Sequence, residues 1–116
     1  MVKDNTSALS ALKIPDSVKN DINEVISVLC DKFSDNLAKL ILFGSYAKQN
    51  YQPDSDIDIA VVLKTLPPLK ERREYLPVFE YDIEIDLLFC SVDQLSGNSM
   101  IYRWINEQGV VLYEQL

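Results

Sequence analysis

The sequence predicts one α/β domain of the α+β kind. Its sheet is mixed, mostly antiparallel and of about four strands, with helices packed mainly on one face and a functional site on the other. Three observations carry this expectation. Two short apolar runs, Leu40 to Phe43 and Ile59 to Leu63, are bounded by Gly44-Ser45 and by Gln52-Pro53-Asp54, as buried strands are. The stretch FEYDIEIDLLFC, from Phe79 to Cys90, alternates in side-chain character as a strand does. Ahead of all three, Val18, Ile22, Val25, Ile26, Leu29, Cys30 and Phe33 recur at helical spacing. With 116 residues, 47% of them apolar and 25% charged, the chain has enough material for one core and too little for two.

Taken in order, residues 1–13 are small and polar and read as a frayed leader, with Ala8, Leu9, Ala11 and Leu12 able to form a short turn of helix. Pro15-Asp16-Ser17 is a helix start, with Asp16 or Ser17 as N-cap, and the first long helix runs from about Ser17 to Phe33. Asp21, Glu24, Asp31 and Lys32 form its solvated side. A strand follows over Lys39 to Phe43, then a short helix over Tyr46 to Asn50, a turn at Gln52-Pro53-Asp54 and the second strand. Beyond the Lys64 to Pro68 loop, Pro67-Pro68 opens a helix from Leu69 to about Leu76, which Pro77 terminates. Its cluster of Lys70, Arg72 and Arg73 reads first as a solvated face and second as a triphosphate contact. After the Phe79 to Cys90 strand, Ser91 to Leu95 is a short capped turn, Ser99 to Gln108 a helix ended at Gly109, and Val110 to Tyr113 a last apolar segment. Core packing is the expectation for Trp104 and Tyr102, with stacking on a bound base as the alternative.

The chemistry concentrates between Leu40 and Leu63, LILFGSYAKQNYQPDSDIDIAVVL. Side chains alternate across a strand, so Asp56 and Asp58 leave one face roughly 6–7 Å apart while Ile57 and Ile59 enter a core. Two carboxylates at the mouth of an apolar strand repel one another unless a cation lies between them. Hard oxygen donors favour magnesium, with manganese as the other candidate, and magnesium takes further ligands from water and substrate phosphates. Gly44 lets the backbone approach a ligand closely, the Ser45 hydroxyl can donate to a phosphate oxygen, and Lys48 adds positive charge one turn along. A phosphate cradle beside paired carboxylates is an arrangement for phosphoryl or nucleotidyl transfer. Asp86 is the expected third ligand, because it lies deepest in its apolar run and a neighbouring strand is only about 4.8 Å away. Glu84 is its rival, and Asp82 and Glu84 are otherwise solvated near the strand's start.

Asp54 reads better as a turn former, and the calcium-loop pattern that begins at Asp54-x-Asp56-x-Asp58 fails, having Ile59 and Thr65 where Gly and Glu are needed. Gly44-Ser45, ten residues and then Asp56-x-Asp58 resembles the signature of the DNA polymerase beta-like nucleotidyltransferase superfamily. With GSYAKQN and SDIDIAVVL around it, the chain is similar to the minimal nucleotidyltransferases, the small antitoxin-type proteins. IDLL around Asp86 resembles the family's third-carboxylate strand, while Lys48-Gln49 stands where the family often has Arg-Gly.

The resemblance implies two magnesium ions on Asp56, Asp58 and Asp86, ATP as the nucleotide, Asp86 as a possible general base, and phosphates held by Gly44, Ser45 and Lys48. It also implies a partner of the helical HEPN ribonuclease class, receiving AMP on a tyrosine within a hetero-oligomer. A chain of this length is expected to leave the acceptor to that partner. Two alternatives stand beside this reading: a non-catalytic, nucleotide-binding antitoxin, and transfer to a small molecule such as an aminoglycoside.

Net charge narrows the partners. At −7, the surface is wrong for gripping a nucleic-acid backbone, so direct nucleic-acid binding is not expected. Two cysteines and no histidine leave a structural zinc site without ligands and remove His-assisted nucleophiles. Buried thiols are the default for Cys30 and Cys90. No apolar run approaches the ~18 residues of a membrane span, and the expected setting is cytoplasmic.

Overall fold

The structure, a computed structural model, describes residues 2–4, 6–68 and 83–115. Five strands among them form one sheet in the order β1-β5-β2-β3-β4. They are β1 (Val2–Asp4), β2 (Leu37–Phe43), β3 (Ile57–Leu63), β4 (Ile85–Ser91) and β5 (Val110–Gln115). Three pairings are antiparallel and one, β3 with β4, is parallel. The sheet is therefore mixed and mostly antiparallel, with one strand beyond the expected four. The extra strand comes from the stretch expected to fray: β1 pairs with β5, and helix α1 (Thr6–Ala11) follows it. Leu9 is buried there, and the Tyr51 hydroxyl donates to the Lys13 carbonyl, tying this stretch to the loop before β3.

The long helix α2 (Asp16–Phe33) lies where its period places it and buries Val18, Ile22, Val25, Ile26, Leu29 and Phe33. Its start differs from expectation. Neither Asp16 nor Ser17 caps it; Pro15 does so through its carbonyl, which accepts from the Val18 and Lys19 amides at 3.1 Å each. A proline just ahead of the first turn presets the backbone dihedral that a side-chain cap would otherwise fix. The face of α2 packs on Leu40, Leu42, Ile57, Ile59, Val61 and Leu63, forming the main core.

A smaller apolar cluster occupies the other face of the sheet. Ile41, Ala60, Val62 and Cys90 meet Leu95 of α4 (Val92–Leu95) and Ile105 of α5 (Met100–Gln108). Burial pushes the Cys90 thiol up to about 11, as expected of an inert core cysteine. Helices thus lie mainly, and not wholly, on one face. The capped turn after β4 is present as a capping box: the Gln94 amide donates to Ser91 Oγ at 3.1 Å, and the Ser91 amide to Gln94 Oε1 at 3.0 Å. The strand expected from Phe79 begins only at Ile85, because its partner β3 begins at Ile57, directly opposite. Phe79 to Asp82, the helix expected over Leu69 to Leu76, and the Lys70, Arg72 and Arg73 cluster lie outside the described residues.

Trp104 departs from the core expectation, being 51% exposed, and Met100 and Ile101 are exposed with it. Ile105 is the one residue of α5 that is buried against the sheet. Gly109 does end α5, but not by a left-handed turn, since its φ is −75°. It is needed for space: a Cβ there would collide with the Ile105 carbonyl and Ile41 Cγ2, and would sit 3.3 Å from the Leu42 carbonyl. Gly109→Ala should therefore destabilise the fold by about 1–3 kcal/mol through overpacking. In urea denaturation the midpoint should fall with an unchanged m value; an unshifted midpoint would show that α5 has room to move.

Candidate functional site

Strand register assembles the site. In the parallel β3–β4 pair Ile57 lies opposite Ile85, so Asp58 lies opposite Asp86, neighbours across a spacing of about 4.8 Å. On its other side Asp58 is opposite Phe43, the last residue of β2. The chain then turns at Gly44 into a short helix, α3 (Gly44–Lys48), which begins two residues earlier than expected. Gly44 adopts φ +76°, a region that disfavours any Cβ. A Cβ there would strike Asp58 Oδ2 and lie 3.2 Å from Asp58 Cγ. The glycine is thus required twice, by its dihedral and by the carboxylate against its Cα.

Asp56 precedes β3 and is not part of it, so its approach to the site comes from the loop and not from strand alternation. It joins the cluster nonetheless, since its charge acts on both Asp58 and Asp86 and raises their carboxyls. Burial and mutual repulsion both act on the group. Asp58 is pushed up to about 6 by burial first, then by Asp86 and Asp56. Asp86 is also raised, by burial first and then by the Asp56 carboxyl. Glu84, the rival third carboxylate, is exposed ahead of β4, with its carbonyl accepting from the Ile57 amide at 2.9 Å.

The loop between α3 and β3 is held from beneath. Tyr46 and Tyr51 stack with ring centroids 4.7 Å apart, and Tyr46 is buried. Burial raises the Tyr46 phenol above its ordinary range, with Tyr51, Asp56 and Asp54 adding to the effect. Above them the Gln52 amide donates to Ser55 Oγ at 2.7 Å, the turn expected of Gln52-Pro53-Asp54. This aromatic support was not anticipated from the sequence. The five-residue interval between two tyrosines in a polar segment was its only signal.

Ser45 is half-buried beside Gly44, and Lys48 is exposed. Lys48 turns toward α5, its Nζ 5.3 Å from the centroid of the Trp104 ring. Between α3 and α5 lies a cleft of about 170 Å³ lined by Phe43, Gly44, Lys48, Ile101, Trp104 and Gln108. All six expected site residues are therefore described, with Asp56, Asp58, Asp86 and Gly44 in one cluster and Ser45 and Lys48 continuing from it along α3.

The fit to a divalent cation rests on donor chemistry. Three clustered carboxylates, all oxygen donors and mutually repelling, suit a hard ion. Among the described residues no three His, Cys, Asp or Glu side chains stand close enough to hold an ion by themselves. An ion there would need water and substrate phosphate to complete its shell, as magnesium does.

Comparison with known proteins agrees with this chemistry. Residues 22–104 match the model of the nucleotidyltransferase domain family. A Methanocaldococcus jannaschii protein named as a protein adenylyltransferase is 30% identical over 82 residues, covering 70% of this chain and 79% of that one. A second so-named protein of the same organism is 31% identical over 90 residues, covering 72% and 61%. Among solved structures, a toxin–antitoxin crystal structure with AMP-PNP superposes with TM-score 0.59 at 28% identity, covering 83% of this chain and 74% of the matched one. The structure of a tri-AMPylated Shewanella oneidensis HEPN toxin in complex with MNT antitoxin gives TM-score 0.55 at 25% identity, covering 84% and 72%. A crystal structure from Sulfolobus solfataricus, at 18% identity and TM-score 0.58 over 89% of this chain and 91% of that one, shares the fold.

Two outcomes are expected. Gly44→Ala should lower stability by about 2 kcal/mol or more, combining a strained dihedral with a clash. In an Asp58→Ala background the loss should be smaller, because the carboxylate is gone; equal losses in both backgrounds would contradict the contact. The second concerns pH in EDTA. Asp58 holds its proton up to about 6 in the fold against 3.8 ordinarily, so the fold binds that proton more tightly than the unfolded chain. This contribution is fully present below the ordinary value and is lost as pH rises through about 6. Stability should fall across that window, by on the order of 1 kcal/mol after discounting for solvent screening. Asp58→Asn should flatten the slope and not lower the melting temperature at neutral pH; a collapsed fold would make Asp58 structural.

Proposed function

This chain belongs to the nucleotidyltransferase domain family, and we propose that it is a metal-dependent protein adenylyltransferase that moves AMP from ATP to a tyrosine of a HEPN-type toxin, acting as its antitoxin. The observation that carries the reading is the Asp58–Asp86 register beside Gly44, with the Asp56 charge acting on both carboxyls. The AMP-PNP complex and the tri-AMPylated HEPN toxin complex, both structurally similar to this chain, support the nucleotide and the partner class.

In this reading Asp56, Asp58 and Asp86 hold two magnesium ions, or manganese in their place. Bound there, the metal supplies charge neutralisation of the triphosphate and alignment of the attacking and leaving oxygens. Gly44 keeps the backbone low enough for the triphosphate to approach, the Ser45 hydroxyl donates to a phosphate oxygen, and Lys48 offsets phosphate charge. The acceptor tyrosine oxygen attacks the α-phosphorus in line. A new O–P bond forms, the bond to the β-phosphate oxygen breaks and pyrophosphate leaves. Asp86, at the exposed edge of the carboxylate pair, takes the phenolic proton. Holding the hydroxyl at the α-phosphate is the part a docked partner performs, and it accounts for much of the rate. A net charge of −7 favours a basic partner face.

Incubating the chain with its cognate toxin, ATP and magnesium should add AMP units to the toxin, read by intact mass spectrometry. The additions should vanish in EDTA and with Asp56→Asn. If the chain suppresses toxicity while the partner's mass never changes, and Asp56→Asn suppresses equally well, neutralisation is by binding alone.

A further inference from the structure

The cleft between α3 and α5 holds a residue, Trp104, that the transfer chemistry above leaves unexplained. Trp104, the only tryptophan of the chain, is half exposed, although Ile105 beside it is fully buried. Its ring is therefore not placed there to fill the core. Its partner is Lys48, whose Nζ stands 5.3 Å from the ring centroid. Gly44 and Lys48 are the first and last residues of α3, four apart and so on one helix face. Ile101, Trp104 and Gln108 are spaced by three and four along α5 and form the opposing wall. Lys48 and Gly44 thus line one cleft, and Gly44 lies against the Asp58 carboxylate.

A lysine is a poor fixed clamp. Its four-carbon stem is flexible, and its head lacks the planar fork with which arginine holds phosphate. An aromatic face beneath the ammonium restricts it by cation–π attraction and leaves its N–H donors for a ligand. We propose that Trp104 is a positioning residue: it holds Lys48 over the α3–α5 cleft, so that the ammonium meets the polyphosphate of a bound nucleoside triphosphate. The proposal rests on the nucleotidyl-transfer reading above and adds the residue that makes Lys48 effective. It also gives the half-exposed ring a role other than stacking on the base.

The single tryptophan reports on its own site. Emission of the wild-type protein should change on adding ATP with magnesium, and equally with inorganic tripolyphosphate and magnesium. Adenosine should leave it unchanged, and Lys48→Met should abolish the polyphosphate response. In transfer assays Trp104→Leu should raise KM for ATP about two- to five-fold, the scale of an exposed cation–π pair, with a smaller change in kcat. Trp104→Phe, which keeps a weaker ring face, should recover part of that loss. A response to adenosine but not to tripolyphosphate would assign the ring to the base and overturn the proposal. So would a Trp104→Leu enzyme with unaltered KM, while transfer itself stood. A wild-type protein that shows no calorimetric binding of ATP with magnesium would overturn the nucleotidyl-transfer reading and this proposal together.

Discussion

Two aspartates placed side by side at the openings of adjacent parallel strands are the constraint on which the rest of this structure turns. Asp58 and Asp86 are each the second residue of their strand and face one another by register. Nothing in strand pairing favours this, since like charges directly opposite are destabilising. Burial and mutual repulsion accordingly raise the carboxyl of Asp58 to about 6, well above its ordinary range. The surrounding fold must hold the pair together. It does so with the fully buried Ile57 and Ile59 on the opposite face, which lock β3 into the core beneath α2. A one-residue slip would send those isoleucines to the site and the aspartates into the core.

The same register explains the backbone around the pair. Because Phe43 ends β2 opposite Asp58, the chain must leave the sheet at the next residue, against a carboxylate. Only glycine combines that approach with φ +76°. From this turn α3 carries Ser45 and Lys48 away from the carboxylates, while the stacked Tyr46 and Tyr51 support the loop that returns to Asp56. The carboxylate pair, the Gly44 turn and the supporting core are thus consequences of one strand alignment.

Much of this was legible in the sequence because it depends on short periods. Alternation over IDIAVVL separates Asp58 from the core, and the apolar neighbours of Asp86 single it out over Glu84. Asp86 lies opposite Asp58 in the register, while Asp56 approaches from the loop ahead of β3. What was not legible depends on contacts distant in sequence. The strand at Val2–Asp4 exists through β5, more than a hundred residues on, and no local apolar pattern announces it. Trp104 looked like core because α5 carries Ile101, Trp104 and Ile105. A nine-residue helix lying across a sheet presents only its innermost residue, Ile105, and tertiary placement overrode the pattern. The Pro15 start of α2 and the space-filling need for Gly109 likewise follow from neighbours that local spacing does not reveal.

The central claim is that the strand register builds a carboxylate cluster that exists to hold a hard divalent ion. Substoichiometric manganese added to the isotopically labelled protein tests it most directly, because a paramagnetic ion broadens the amide signals nearest to it. The amides of Gly44, Asp56, Asp58 and Asp86 should broaden first and together, and excess magnesium should restore them by competition. Broadening centred on the solvated acidic face of α2, around Glu24 and Asp31, with the Asp58 and Asp86 signals untouched, would contradict it.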